Sequence, residues 1–267
     1  MAILNPADTT VLAPMRLALV ALAAAGGGLV NAIAGGGTLL TFPALVALGV
    51  PPLIANATST VALWPGTLTS FWGYRDALTG ARTWTVRWAL PSLLGGITGA
   101  VLLLSTPERK FADGVPWLIW GATLLFMVQG PVMRWVVGHA APVGDGAELA
   151  PPRTGFLFYQ FFVAIYGGYF GAGAGILMLA ALGMMGLKNI HTMNGLKNWG
   201  GLNINVVAVL IFAISGIVNW PVALTMAVGA AVGGIVGARL AQRVGQQWVR
   251  RAIIAIGLGS GAWMLLQ

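Results

Sequence analysis

The sequence contains no cysteine, which excludes disulfides, thiolate metal sites and thioether attachment of haem. Charge is scarce as well: Asp, Glu, Lys and Arg make up 7% of the 267 residues, where an ordinary soluble domain carries about 25%. Acids are rarest. The six present, Asp8, Asp76, Glu108, Asp113, Asp145 and Glu148, all fall between or at the edges of apolar runs. A relay of membrane-embedded carboxylates, the device of many proton pumps, is therefore not available. Two histidines, His139 and His191, are too few for a metal cluster, and no cofactor is expected. An intramembrane enzyme would need an embedded nucleophile with its base, or a metal pair, and neither pattern is present.

What is abundant is apolar, at 58% of the chain. Long runs recur over Leu12–Ala34, Leu53–Trp72, Trp84–Leu104, Val115–Val137, Phe156–Phe170, Ile190–Ile214, Trp220–Leu240 and Ala252–Leu266. Most approach the roughly 20 residues that cross a bilayer. The pattern predicts an all-α polytopic membrane protein, with the lipid bilayer as its first partner. No small-residue cleavage site follows the first run, so that run is expected to belong to the membrane body rather than to a removed signal. The net charge of +8 comes from basic residues scattered over short loops. Such scatter is a membrane-orientation signal rather than a nucleic-acid surface, and no nucleic acid is expected as a partner.

The chain repeats itself. "GGITGA" at Gly95–Ala100 is answered by "GGIVGA" at Gly233–Ala238, and "GGLVNAIAGGGTLL" by "GGYFGAGAGILML". Repeats over 12–137 and 154–266 are expected, joined by a linker at 138–153 rich in Pro, Gly and acid. Each repeat reads as a glycine-broken helical hairpin followed by three spans, because the pieces Thr38–Val50 and Gly175–Leu187 are too short to cross alone. If each hairpin returns to its own side, Arg75, Arg82, Arg87, Arg134, Arg153, Lys188, Arg239, Arg243, Arg250 and Arg251 share one face. Only Arg16, Arg109 and Lys110 then lie near the other. The positive-inside rule prefers this arrangement, an inverted repeat with the linker in the cytoplasm and both termini outside.

Inverted repeats with discontinuous helices are a common design of secondary transporters. Helix-start N–H groups at Gly35, Gly36 and Gly37, and at Gly171, Gly173 and Gly175, can face an anion, or the small residues can simply let helices pack closely. After each hairpin comes a polar stripe: Asn56, Ser59, Thr60 and Thr67 in one repeat, Asn194, Lys197, Asn198 and Asn205 in the other, at identical intervals and on one helix face. Lys197 is the single cation expected inside a span. Its ammonium either meets a bound anion or snorkels to the cytoplasmic interface. Asn31 reads as a helix cap in the break or as a ligand, and His191 as interfacial. Trp64, Tyr166 and Trp199 near the stripes read as packing or interface anchors.

The stretches Ala34–Tyr74 and Gly171–Asn205, with the two "GGIxGA" segments behind them, resemble the TauE/SafE sulfite exporter family over nearly the whole chain. The resemblance implies a multi-pass permease of the bacterial inner membrane, exporting sulfite, sulfonates such as sulfoacetate, or related small organic anions. Alternating access would place the substrate between the repeats. Asn56, Thr58, Ser59 and Thr60 from one side and Asn194, Lys197 and Asn198 from the other would bind it, with Asn31, Gly36, Gly37 and Gly173 completing the shell at the breaks. An anion leaving a negative cytoplasm gains about 2.3 kcal/mol per charge per 100 mV, so facilitated export needs no ion coupling; a proton can still travel with it. An anion channel and a non-transporting membrane assembly partner remain the competing readings.

Overall fold

The computed structural model describes residues 13–33, 35–139, 151–187, 189–240 and 247–266, with side chains left undescribed at 133–139 and 247–249. Most of the expected linker, with Asp145 and Glu148, lies outside the described residues, as do Asp8, Lys188 and Arg243. All the regular elements described are helical. The first half contains α1 (Pro14–Ile33), α2 (Thr38–Ala47), α3 (Pro52–Tyr74), a 3-10 turn at Arg75–Leu78, α4 (Arg82–Ser105) and α5 (Glu108–His139). The second contains α6 (Thr154–Tyr169), α7 (Ala174–Met184), α8 (Ile190–Ser215), α9 (Trp220–Leu240) and α10 (Gln247–Leu265). In both halves a first helix breaks, a short one follows, and three longer ones complete the set.

Local sequence accounts for the boundaries. Pro52 at the first position of α3 supplies a helical φ where no N–H is needed. Asn189 caps α8, its side-chain oxygen accepting from the N–H of His191 at 2.9 Å and of Thr192 at 3.3 Å. α5 begins about two turns earlier than its apolar run, taking Glu108 into its first turn, where a carboxylate complements the positive helix end. By length and composition, α1, α4, Glu108–Val132 of α5, α8 and α9 can each cross a membrane. α3 falls outside that set, as does α6, which has only 16 residues.

Packing contacts pair across the halves. α1 packs on α9 and α6 on α4; α3 packs on α9 and α8 on α4. The contacts match position by position: Gly233 meets the carbonyl of Ala25, as Gly95 meets that of Phe161, and Gly237 meets Leu29, as Gly99 meets Ile165. Contact partners rise in number together, so these pairs run parallel. The counterparts α3 and α8 instead cross antiparallel, Thr67 beside Gly201 and Tyr74 beside His191. So do α5 and α10, with Thr123 beside Gly257 and Trp120 beside Gly261.

The sorting of side chains is that of a bilayer protein: small residues lie at the crossings while Leu90, Leu94 and Val101 of α4 and Leu224, Val228 and Val232 of α9 face outward. Around the breaks, Phe42, Phe111, Phe126 and Phe170 fill the interior. This packing holds two stretches of non-helical backbone deep inside, where they are shielded from lipid.

Candidate functional site

The two breaks meet at the centre. Each first helix ends, at Ile33 or Tyr169, and the chain turns through a glycine of positive φ, 79° at Gly35 and 83° at Gly171, a conformation that side chains disfavour. At Gly35 the backbones also touch: a Cβ there would lie 2.6 Å from the Cα of Gly175.

A helix end leaves its last carbonyls without partners in the helix. In α1 the N–H of Gly35 donates to Val30 and Asn31, and Lys197 Nζ donates to the carbonyls of Asn31 at 3.0 Å and Ala32 at 3.1 Å. In α6 the carbonyl of Tyr166 accepts from Phe170 and Gly171, and Asn56 Nδ2 donates to Tyr169 at 2.9 Å. Each broken helix is thus capped by a side chain from the third helix of the opposite half. The ammonium also sits at the negative end of the α1 dipole. Lys197 is only 3% exposed, turned inward onto α1 rather than extended to an interface.

Between the breaks lies a cavity of about 50 Å³, on the order of three water positions. Asn31, Thr67, Lys197, Asn198 and Asn205 supply its polar side chains, Gly35, Gly171 and Gly175 its backbone edge, and Met178 and Ile204 an apolar wall. Gly175 is the second residue of α7, so its N–H has no acceptor within that helix and lies at the positive helix end. Asn31 Nδ2 donates to Thr67 Oγ1 at 2.9 Å, and Thr67 Oγ1 donates to the carbonyl of Leu63 at 3.2 Å. Asn198 Nδ2 is buried with no partner among the described residues. Such a group costs about 1–3 kcal/mol until an acceptor reaches it. Among the described residues no carboxylate lines the cavity.

Of the residues singled out from sequence, Asn31, Lys197 and Asn198 line this cavity, joined by Thr67 and Asn205 from the far ends of the two stripes. The remainder are engaged elsewhere. Asn56 caps α6; Ser59 Oγ shares a 2.6 Å hydrogen bond with Thr41 Oγ1; Thr60 donates to the carbonyl of Asn56; Thr58 Oγ1 accepts from the N–H of Asn219. Asn194 is buried one turn before Lys197, its Oδ1 unpartnered among the described residues. Gly36 and Gly37 permit close packing instead, since a Cβ would strike the Phe126 ring at Gly36 and the Gly27 carbonyl at Gly37, whereas Gly173 turns the chain into α7 with a φ of 80°. His191 is exposed at the start of α8. Trp199 Nε1 donates to the Thr85 carbonyl at 2.8 Å, and Tyr166 OH donates to that of Ala172 at 2.6 Å, pinning the second break.

Of the cavity's glycines, Gly35, Gly171 and Gly175 belong to the clusters that the sequence reading set facing an anion, whereas Gly167 and Gly201, with Ala174, Met178 and Ile204, were not placed there. The clusters are conspicuous in the sequence. Which glycine of a cluster turns and which packs depends on φ and on the facing helix, and neither is marked in the letters.

Residues 19–264 match the model of the sulfite exporter TauE/SafE family. A probable membrane transporter protein of Haemophilus influenzae is 26% identical over 88% of this chain and 89% of its own length. Probable membrane transporter protein ORF9 of a Sinorhizobium species is 28% identical over 91% and 89%. Probable membrane transporter protein YfcA of Escherichia coli K12 is 27% identical over 94% and 90%.

Proposed function

The chain belongs to the sulfite exporter TauE/SafE family of membrane transporters, and from that premise we propose that it exports a small oxyanion across the bacterial inner membrane by alternating access. The observation that carries this reading is the central cavity, lined by Lys197, Asn31, Asn198, Asn205 and the start of α7, with no carboxylate among the described residues that line it. Its size favours sulfite over sulfoacetate or longer sulfonates, which would need the breaks to separate further.

The antiparallel crossing of α3 with α8 and of α5 with α10, against the parallel pairs α1 with α9 and α6 with α4, supports an inverted repeat over 12–137 and 154–266. Rocking of one half against the other about the breaks would expose the cavity to each side in turn. The distribution of Arg and Lys supports a cytoplasmic linker at 138–153. With that orientation, efflux of an anion runs down the membrane potential.

Flux of sulfite and of sulfoacetate through proteoliposomes under an imposed potential tests the reading. Saturable sulfite flux that follows the potential and disappears in Lys197→Ala is the expected result. Flux rising linearly with concentration would indicate a channel, and an unchanged Lys197→Ala variant would remove the ammonium from the site.

A further inference from the structure

We propose that the groove between the N-terminal parts of α4 and α6 binds an anionic phospholipid of the cytoplasmic leaflet, its phosphate held by Arg87 and Arg153 and an acyl chain lying along Leu90, Leu94 and Phe158. The groove has a volume of about 730 Å³ and, apart from Arg87 at its end, is lined by apolar side chains. Val86, Leu90, Leu94 and Phe158 present exposed apolar surface along it. From Arg87 to Leu94 it extends about 10 Å at the helical rise.

Its origin is legible in the packing. α4 and α6 run parallel, approaching closely at Gly95 against Phe161 and Ala164, with Gln160 Nε2 donating to Ser92 Oγ at 2.9 Å just before it. On the outer side, one turn earlier, Pro91 of α4 and Leu157 and Phe158 of α6 line the groove. In the other half the same pair, α9 and α1, closes: Gly229 occupies the place of Pro91 and meets Ala21 and Ala25 directly.

The cations follow the same asymmetry. Arg87 lies eight residues before Gly95, and Arg153 eight residues before Phe161, so the parallel register brings both to the same end of the groove. Their counterparts in the closed pair are Thr225 and Leu17. Both arginines are exposed, and neither is in an ion pair with a described residue. Arg153 also stands at the start of α6, where the helix dipole adds positive potential. Paired guanidinium groups suit a phosphate, and the orientation proposed above puts them at the leaflet that carries anionic lipid. A second copy of the chain docking here by a twofold axis would set Arg87 and Arg153 against their own copies. Charge therefore favours lipid. The site is independent of the transported substrate.

The test is lipid binding to the delipidated full-length protein by native mass spectrometry and thermal shift. It compares phosphatidylglycerol, phosphatidylcholine and inorganic phosphate on the wild type and on Arg87→Gln/Arg153→Gln. Expected is retention of phosphatidylglycerol in preference to phosphatidylcholine, no effect of inorganic phosphate, and about tenfold weaker phosphatidylglycerol binding in the double variant. Leu90→Trp, which fills the groove and keeps both arginines, is expected to weaken it too. Equal binding of the two lipids, or unchanged phosphatidylglycerol binding in both variants, would overturn the proposal. So would a lipid-independent dimer abolished by Leu90→Trp, which would assign the groove to a second copy.

Discussion

The two halves place the same kinds of helices around the same kind of break, yet their polar stripes do different things. In the first half, Ser59, Thr60 and Asn56 are bonded to Thr41, to their own helix and to α6, and only Thr67 reaches the cavity. In the second, Lys197, Asn198 and Asn205 all line it. The two halves share one order of helices, and the stripe residues that line the cavity come mostly from the second. The proposed anion needs only one cluster of donors; a second ammonium at Ser59 would leave an extra buried charge to be compensated.

Substitutions at matched positions can break or sharpen this contrast. The largest effect is expected at the meeting point. Gly35→Ala and Gly49→Ala share the strain of a positive φ, at 79° and 86°, but Gly49 has open space around it while Gly35 faces Gly175. Gly35→Ala is therefore expected to cost about 1–3 kcal/mol more than Gly49→Ala, the usual range for overpacking. Thermal unfolding in detergent measures the difference.

Next come the caps. Lys197→Ala removes two charge-assisted hydrogen bonds from the end of α1 and is expected to destabilise by about 3 kcal/mol. Its positional counterpart Ser59→Ala loses one neutral bond, about 1 kcal/mol. Asn56→Ala falls between them, since it leaves the Tyr169 carbonyl unmet. Equal losses at Lys197 and Ser59 would mean that the ammonium contributes nothing to holding α1. The smallest effect is expected for Tyr166→Phe, which removes the bond to Ala172 and costs about 1 kcal/mol. The first half has Val30 at that position and no such pin.

Much of the frame was legible in the sequence because it rests on periodicities. Runs near bilayer length gave the long helices, and the pieces beginning at Thr38 and Gly175 emerged as the short helices α2 and α7. The stripes were legible as faces. What periodicity does not carry is the partner of each polar group. Ser59 and Lys197 occupy equivalent positions, yet one finds Thr41 on a neighbouring helix and the other the open carbonyls of α1. Those choices follow from tertiary approach, as does the distinction between Gly35, which turns, and Gly36, which makes room for Phe126.

The most direct test of the proposed anion site compares Asn198→Ala with Thr60→Ala, counterparts in the two stripes. Asn198 Nδ2 has no partner among the described residues, so its loss breaks no hydrogen bond donated by that amide, and Thr60 bonds only within α3. Sulfite flux into proteoliposomes at a clamped potential should fall about tenfold in Asn198→Ala, equivalent to roughly 1.4 kcal/mol, and stay near the wild-type level in Thr60→Ala. Equal flux in the two variants, or a loss confined to Thr60→Ala, would contradict a binding site built from the second half's stripe.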